Sequence, residues 1–501
     1  MNRTMFISPL IVALCLMACN VTITNPDDNN KPQDTSKVTP VDENKVQTWI
    51  TTGDNTMHFS AVSRDFKEGF NANLDKTLYL HPETRYQEFD GFGCALNGSA
   101  CYLLMKMTPE NRAKLLKETF SPTEGMGYSY TRISIGCSDF SLSEYSCCDA
   151  KGLENFSLTS EETNYVIPVL KEVLAINPSL KIMGSPWSCP RWMKVNNLND
   201  KQPYNSWTSG QLNPDHYQDY ALYFVKWIQA FEAEGIHIEA VTVQNEPLNR
   251  GNSASLYMTW QECRDFVKLA LGPKFEQNSI KTKILVFDHN YNYDNVNDQQ
   301  QYPLKIYQDK IAAGYIDGAA YHNYGGSPTE LDNIHRQAPD KNLYFTEHSI
   351  GTWNYNNYRD ALMNDMNNPC MSAVTRWCKS VIVWNFMLDN ERGPYRPGGC
   401  GTCYGLVEIS NRDYATLNRR ATYYVMGHLS KVLKAGGTRI DAKGYTPSNV
   451  SFVASDNTDG TYGLVLQNNN DDGVTMTIDD GTHSFDITLP AKSVTSCLWK
   501  K

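Results

Sequence analysis

Through the middle of the chain, short apolar runs alternate with longer stretches whose apolar residues recur every three or four positions. The short runs are EFDGFG (88–93), TRISIG (131–136), KIMGSPW (181–187), AVTVQNEP (240–247), KILVFDHN (283–290), GAAYHNY (318–324), NLYFTEHS (342–349) and SVIVWNFM (380–387). Each is almost continuously apolar and ends in polar or aromatic residues, the pattern of a parallel strand buried on both faces. The stretches between them read as amphipathic helices. Thr108 can cap a helix with Pro109 in its first turn, and Ala113, Leu116 and Phe120 share a face. Thr159 with Glu162, and Thr259 with Glu262, have capping-box spacing, the second helix stopping at Gly272-Pro273. Tyr220, Phe224, Trp227, Ile228 and Phe231 form a stripe closed by Gly235. Eight such units predict an α/β fold, a closed (β/α)8 barrel over residues 88–428, with reactive groups at the C-terminal ends of the strands. An open doubly wound sheet would carry a glycine-rich turn after its first strand, and GFGCALNG lacks the G-x-G-x-x-G spacing.

The pattern changes at both ends. From 429 to 501 the runs are short and alternating, separated by Asn-Asp-Asp-Gly and Asp-Asp-Gly turns, which predicts an attached antiparallel β-sandwich. Residues 48–87, with alternation around TLYLHP, are expected to add a strand or two to it. At the N-terminus Arg3 precedes an apolar run from Met5 to Leu16, broken by Ser8 and Pro9 and well short of the roughly 20 residues a membrane-spanning helix needs. The run ends in Leu16-Met17-Ala18-Cys19, the form of a bacterial lipobox, so residues 1–19 are expected to act as a lipoprotein signal with Cys19 lipidated after cleavage. Residues 20–47 are mostly Asn, Asp, Pro, Lys and Thr, too polar to offset the cost of ordering, and read as a flexible tether. The expectation is an exported protein, anchored to the bacterial envelope at the outer membrane or cell surface without spanning it.

Charge narrows the partners. In 501 residues, 45 Lys+Arg against 55 Asp+Glu give a net charge of −10, which argues against nucleic acid and against anionic polymers. A hydrophobic share of 41% allows a large core, and the 10 Trp and 29 Tyr suit sugar faces as well as cores. Fourteen cysteines are too few for a disulfide scaffold and show no zinc-finger spacing. The lone C-x-x-C of Cys400 and Cys403 predicts a loop disulfide in an exported protein, whereas the partners of Cys137, Cys147 and Cys148 are not readable.

Two carboxylates stand out. Glu246 follows AVTVQN and Glu347 follows LYFT, at the ends of the fourth and seventh predicted strands, facing one central cavity. Glycoside hydrolysis needs such a pair, one to protonate the leaving oxygen and one to attack or to activate water. Asp288, His289 and His322 form a weaker grouping. No regular His-x-x-x-His or Cys pair accompanies them, the hydrolysis needs no metal, and no cofactor is expected.

GFGCALNGSA, TRISIGCSDFS, GSPWSCPRWMK, VTVQNEP, TEHSIGTW and VWNFMLDNERGP occur in this order. Together they resemble glycoside hydrolase family 30, which includes glucosylceramidases and endo-β-1,6-glucanases. The resemblance implies a (β/α)8 barrel with an attached β-sandwich and hydrolysis with retention of configuration. It implies Glu246 as general acid/base, Glu347 as nucleophile, Trp187 and Trp384 as aromatic residues lining the sugar site, and Asn245 as a contact to the sugar 2-hydroxyl. Arg132 and Asp139 match family positions near the site, as sugar contacts or as an ion pair beneath its floor. His322 and Tyr324 end the sixth strand at the mouth. Asn97 stands where glucosylceramidase-type members carry an Asp, a departure that weakens that narrower reading. Glu246 is expected to be protonated at rest, its pKa raised by the charge of Glu347. The substrate implied is β-linked glucose, with endo-acting cleavage of β-1,6-glucan as first choice. A glucosylceramidase-like exo-enzyme, or a relative acting on xylan or β-fucosides, is the alternative. A catalytically dead glycan-binding lipoprotein would lack a carboxylate, and both are present. Beyond the glucan and the membrane at Cys19, no obligate protein partner is readable.

Overall fold

The computed structural model describes residues 42–68, 74–291, 296–353, 355 and 357–501. Cys19, the signal segment and most of the tether therefore lie outside the described residues. Eight strands close into a barrel: β1 (Gly91–Ala95), β2 (Tyr130–Ser134), β3 (Lys181–Ser185), β4 (Ala240–Thr242), β5 (Lys283–Asn290), β6 (Ile316–His322), β7 (Asn342–Glu347) and β8 (Cys378–Val383). Each falls within or across one of the eight predicted runs. All neighbours are parallel, and β8 closes onto β1 with Val381 opposite Phe92.

Inside the barrel, Tyr130, Met183, Ala240, Leu285, Ala320, Tyr344 and Ile382 form one buried cluster, a residue from each of β2 to β8. Such a layer makes the interior a packed floor and leaves chemistry to the C-terminal rim. Just before β1, buried Asp90 accepts from Lys181 at 2.8 Å, with Lys283 and Lys379 at 3.5 and 3.6 Å. This ion cluster sits at the strand starts, away from that rim.

The helices follow the predicted signals with two changes. Thr108 caps the helix Pro109–Phe120, but its buried face carries Arg112, Leu115, Leu116, Thr119 and Phe120, while Ala113 is exposed. The face rotates because the Arg112 guanidinium is held inward, on Glu172 at 2.8–3.1 Å and on the Leu104 and Met107 carbonyls. Thr259 and Glu262 form the full capping box. Gly272-Pro273 does not end that helix: a π turn at Val267–Leu271 widens the backbone, and an α turn continues over Gly272–Gln277. The wider turn accommodates the proline, which has no N–H to give. Gly272 is needed for close approach, since a Cβ there would lie 2.2 Å from the Tyr315 ring.

The second module is a nine-stranded sheet in the order 60–65, 45–52, 493–500, 461–468, 450–456, 438–444, 77–88, 474–479, 484–489. Every pairing is antiparallel except that of Val474–Asp479 with Thr77–Glu88. Its inner face buries Val46, Leu78, Ile440, Leu464, Ile478, Phe485, Ile487 and Trp499. The N-terminal segment contributes three strands rather than one or two, and the first begins at Lys45, inside the span read as tether. Glu88, read as barrel, ends the third. The expected boundary at 428/429 cuts the helix Ala421–Val432, whose almost wholly buried surface ties the modules together. Its His428 bonds Thr51 Oγ1 and Ser496 Oγ, both at 2.8 Å. Burial, which no charge among the described residues offsets, lowers the His428 pKa to about 3.

Cys400 and Cys403 form the expected disulfide. Cys137, Cys147 and Cys148 are free and buried.

Candidate active site

Arg132, from β2, is fully buried at the centre of the rim. Its Nη1 donates to Glu347 Oε2 at 2.6 Å, and its Nη2 to Asp288 Oδ2 and Asn245 Oδ1 at 2.8 Å and to Ser185 Oγ at 3.0 Å. Four strand ends thus converge on one guanidinium, a planar fork suited to carboxylates. Its ion-pair partners are Asp288 and Glu347. Asp139, offered as a partner from the sequence, is not one.

Glu347 ends β7. One carboxylate oxygen takes the Arg132 bond, and the other accepts from the Tyr324 hydroxyl at 2.9 Å, which also lies 2.9 Å from Ser349 Oγ. Glu246 follows β4 and is held differently. Asn249 and Asn252 donate amides to Oε2 at 2.7 and 3.2 Å, and His322 Nδ1 lies 3.3 Å from Oε1. His322 Nε2 lies 2.9 Å from Asp288 Oδ1. Both imidazole nitrogens therefore face carboxylates. One oxygen of Glu246, one of Glu347 and a nitrogen of His322 all lie within 4.8 Å of one another. Among the described residues, those three are the group with metal-ligand spacing. The Asp288–His289–His322 set read from the sequence is not so grouped, and the atoms of the trio already bond protein partners.

Electrostatics corrects one expectation. Burial pushes the Glu246 pKa upward, but the His322 hydrogen bond and the His289 and His322 charges outweigh it and hold the group down at about 2. His322 is raised to about 9: burial opposes its charge, while Glu347, Asp288 and Glu246 together favour it. The charge of Glu347 instead favours the charged form of His322, and the protonated imidazole in turn lowers Glu246. The proton expected on Glu246 rests on the neighbouring imidazole. Asp288, buried and bonded to Arg132, His322, Ser185 and Thr346, lies far below the usual carboxylate range despite burial. Asp139 moves the other way, raised by burial and by the Glu347 and Glu246 charges. His289 is lowered to about 4, chiefly by burial.

The backbone is strained at this rim. Glu246, Phe287 and Asp288 have φ of 43°, 75° and 52°, the left-handed region that non-glycine residues occupy at a cost and that recurs at active sites. The Glu246 N–H donates to the Asp288 carbonyl at 2.9 Å, coupling the two turns.

Trp187 and Trp384 stack on each other with centroids 5.0 Å apart, and the Arg132 guanidinium lies 4.9 and 5.5 Å from their rings. Each is 2% exposed, so they wall the site beside Arg132 rather than form an open platform. Asn245 reaches the site through its bond to Arg132. Asn97 does not present its carbonyl to a ligand: the oxygen caps the helix Gly98–Lys106 by accepting from Ala100 N, and its amide donates to Asn385. The sequence reading missed the organising place of Asp288, and it passed over Ser185, Asn249 and Asn252. The available signal was position, since Asp288 is a strand-end carboxylate in KILVFDHN.

Comparison with known proteins agrees with this geometry. Residues 89–433 match the glycosyl hydrolase family 30 TIM-barrel domain and residues 436–497 the family's beta sandwich domain. The chain is 32% identical over 433 residues to the endo-1,6-beta-D-glucanase BGN16.3 of Trichoderma harzianum, covering 82% of this chain and 84% of that one. It is 28% identical over 459 residues to the lysosomal acid glucosylceramidase of Mus musculus, covering 85% and 83%. Among solved structures, the endo-beta1,6-glucanase BT3312 is 56% identical, superposes with a TM-score of 0.89, and covers 91% of this chain and 99% of that one.

Proposed function

The chain belongs to glycosyl hydrolase family 30, and from that membership we propose that it cleaves internal bonds of β-1,6-glucan with retention, Glu347 acting as nucleophile and Glu246 as acid/base. The observation that carries this reading is the asymmetry of two carboxylates with oxygens within 4.8 Å. Oxygens this close are compatible with the roughly 5–5.5 Å between the carboxyl groups of a retaining pair. Arg132 and Tyr324 each bond one oxygen of Glu347 and fix its orientation, as a nucleophile requires. Glu246 instead faces the proton-bearing His322 at 3.3 Å and His289 at 4.0 Å.

In the first step a Glu347 oxygen attacks the anomeric carbon, the glycosidic bond breaks, and the leaving oxygen takes a proton from Glu246. That proton is drawn from His322 Nδ1 across the 3.3 Å contact. A glycosyl ester forms on Glu347 and its charge is lost, so Arg132 is left paired with Asp288. In the second step Glu246 takes a proton from water and returns it to His322, the resulting hydroxide attacks the same carbon, and the ester bond breaks to restore Glu347. The choice of β-1,6-glucan is supported by the names of the relatives, and the departure at Asn97 weighs against a glucosylceramidase. Digestion of a β-1,6-glucan tests it. The expected products are a ladder of short oligosaccharides whose first-formed reducing ends are β. Glucose alone, or α reducing ends, contradicts the reading.

Export and lipid anchoring belong to the same proposal. They are supported by the short apolar run ending in Leu16-Met17-Ala18-Cys19 and the polar segment that follows it. Among the described residues no helix is long and apolar enough to cross a membrane.

A further inference from the structure

Beside the carboxylate pair, the loops after β6 and β7 and residues 364 and 368 line an open cavity of about 570 Å3. This lies within the roughly 300–1,000 Å3 of small-molecule sites. Its lining carries three partly exposed aromatic rings, Tyr324 (44%), Trp353 (53%) and Tyr355 (46%). Between them lie His348 and the amides of Asn364 and Asn368. Flat rings alternating with amide and imidazole groups match the two sides of a pyranose, its C–H faces and its hydroxyl edge.

Three details tie this cavity to the reaction. Tyr324 is a shared wall, because its hydroxyl is bonded to Glu347 while its ring lines the cavity. The Trp353 ring lies against Gly351, where a Cβ would come within 2.3 Å of it, so the missing side chain seats the indole. His348 is 7% exposed; its Nδ1 lies 2.9 Å from Asn323 Oδ1, yet its Nε2 has no hydrogen-bond partner, the nearest carboxylate oxygen being Asp365 Oδ1 at 3.9 Å. The Asn323 contact fixes this imidazole, from the residue after Glu347, in the cavity wall, with its buried Nε2 nearest Asp365 rather than open to the cavity.

The geometry also sets the side. Trp187 and Trp384, from the loops after β3 and β8, wall off one flank of the reacting centre. Glu246, which must sit beside the leaving oxygen, is bonded to His322 of β6, and Tyr324 is two residues further along that chain. We propose that the cavity is a glucosyl-binding subsite for the leaving-group side of the glucan, with Trp353 as stacking platform and the Asn364 and Asn368 amides as hydroxyl partners. This rests on the β-1,6-glucanase reading above.

The test compares two substrates of the full-length enzyme. A β-1,6-gluco-oligosaccharide fills the cavity, whereas β-gentiobiosyl fluoride has fluoride as its leaving group and leaves it empty. In Trp353→Ala the ratio of kcat/KM for the oligosaccharide to that for the fluoride is expected to fall about tenfold, the scale of a lost aromatic contact, and Trp353→Phe to recover most of it. Tyr355→Ala should lower the same ratio, which provides a second variant should Trp353→Ala fold poorly. An unchanged ratio, with both substrates still turned over, overturns the subsite alone. An equal fall on both substrates overturns the assignment to the leaving-group side. A wild-type enzyme that hydrolyses neither overturns the function on which the proposal rests.

Discussion

Replacing Asp288 by Asn tests whether the catalytic proton is stored on His322. Asp288 supplies a hydrogen bond at 2.9 Å and a negative charge, two of the contributions that hold His322 at about 9 against burial; the Glu347 charge and the Glu246 bond remain in the variant. A hydrogen bond to a charged group is worth about 1.5–3 kcal/mol, and one pKa unit corresponds to about 1.4 kcal/mol, so the His322 pKa should fall by roughly 1–2 units. The group is raised in the enzyme, so the proton it supplies is present at low pH and lost as pH rises. The alkaline limb of kcat/KM should therefore move from near 9 to about 7.5. At pH 8.5 the protonated fraction drops from about 0.8 to about 0.09, an eightfold loss, whereas at pH 6 both enzymes are fully protonated. Asp288 also positions Arg132, so a further loss at every pH is expected, but that loss has no pH dependence. The assay is the pH profile of initial rates on β-1,6-glucan. An alkaline limb that stays in place, whatever the height of the plateau, refutes the storage of the proton on His322.

Two other outcomes bear on stability and location. His428 is held neutral with a pKa of about 3 against 6.5 unfolded, so folding loses about 1.4 kcal/mol per unit as pH falls below 6.5 towards 3. His428→Gln should be the less stable protein at pH 7 in urea titrations, with the gap closing by about 2–3 kcal/mol at pH 4.5; a constant gap would show that burial does not depress this histidine. Cys19→Ala should leave the precursor uncleaved and unlipidated in membrane fractions, and normal processing to a mature form would remove the lipoprotein assignment.

Much of the barrel was legible because a parallel strand covered on both faces has to be almost continuously apolar, which few other elements are. Glu246 and Glu347 were legible for a related reason: each carboxylate closes such a run, at the C-terminal rim where a barrel keeps its reactive groups, and the two form a pair. The electrostatics was not legible. Whether Glu246 holds a proton depends on His322, which comes from another strand and takes the proton instead, and on Glu347 and Asp288, which favour the charged imidazole; no local pattern encodes either. Asn97 shows the same limit, since its position in a motif could not reveal that its carbonyl is used to cap a helix. Gly272-Pro273 reads as a stop by local rules and is overridden by a π turn and by the packing of Tyr315.

The roles of the two glutamates are tested most directly by azide rescue of their alanine variants, with product configuration read by NMR. Glu347→Ala should be rescued to an α-glycosyl azide, azide attacking once from the side the carboxylate vacated. Glu246→Ala, given an activated β-glucoside, should form the ester on Glu347 in a burst and be rescued to the β-azide through two inversions. Products of the opposite configuration would mean that the two roles are exchanged, and near-normal turnover of β-1,6-glucan by either variant would place the reaction elsewhere in the protein.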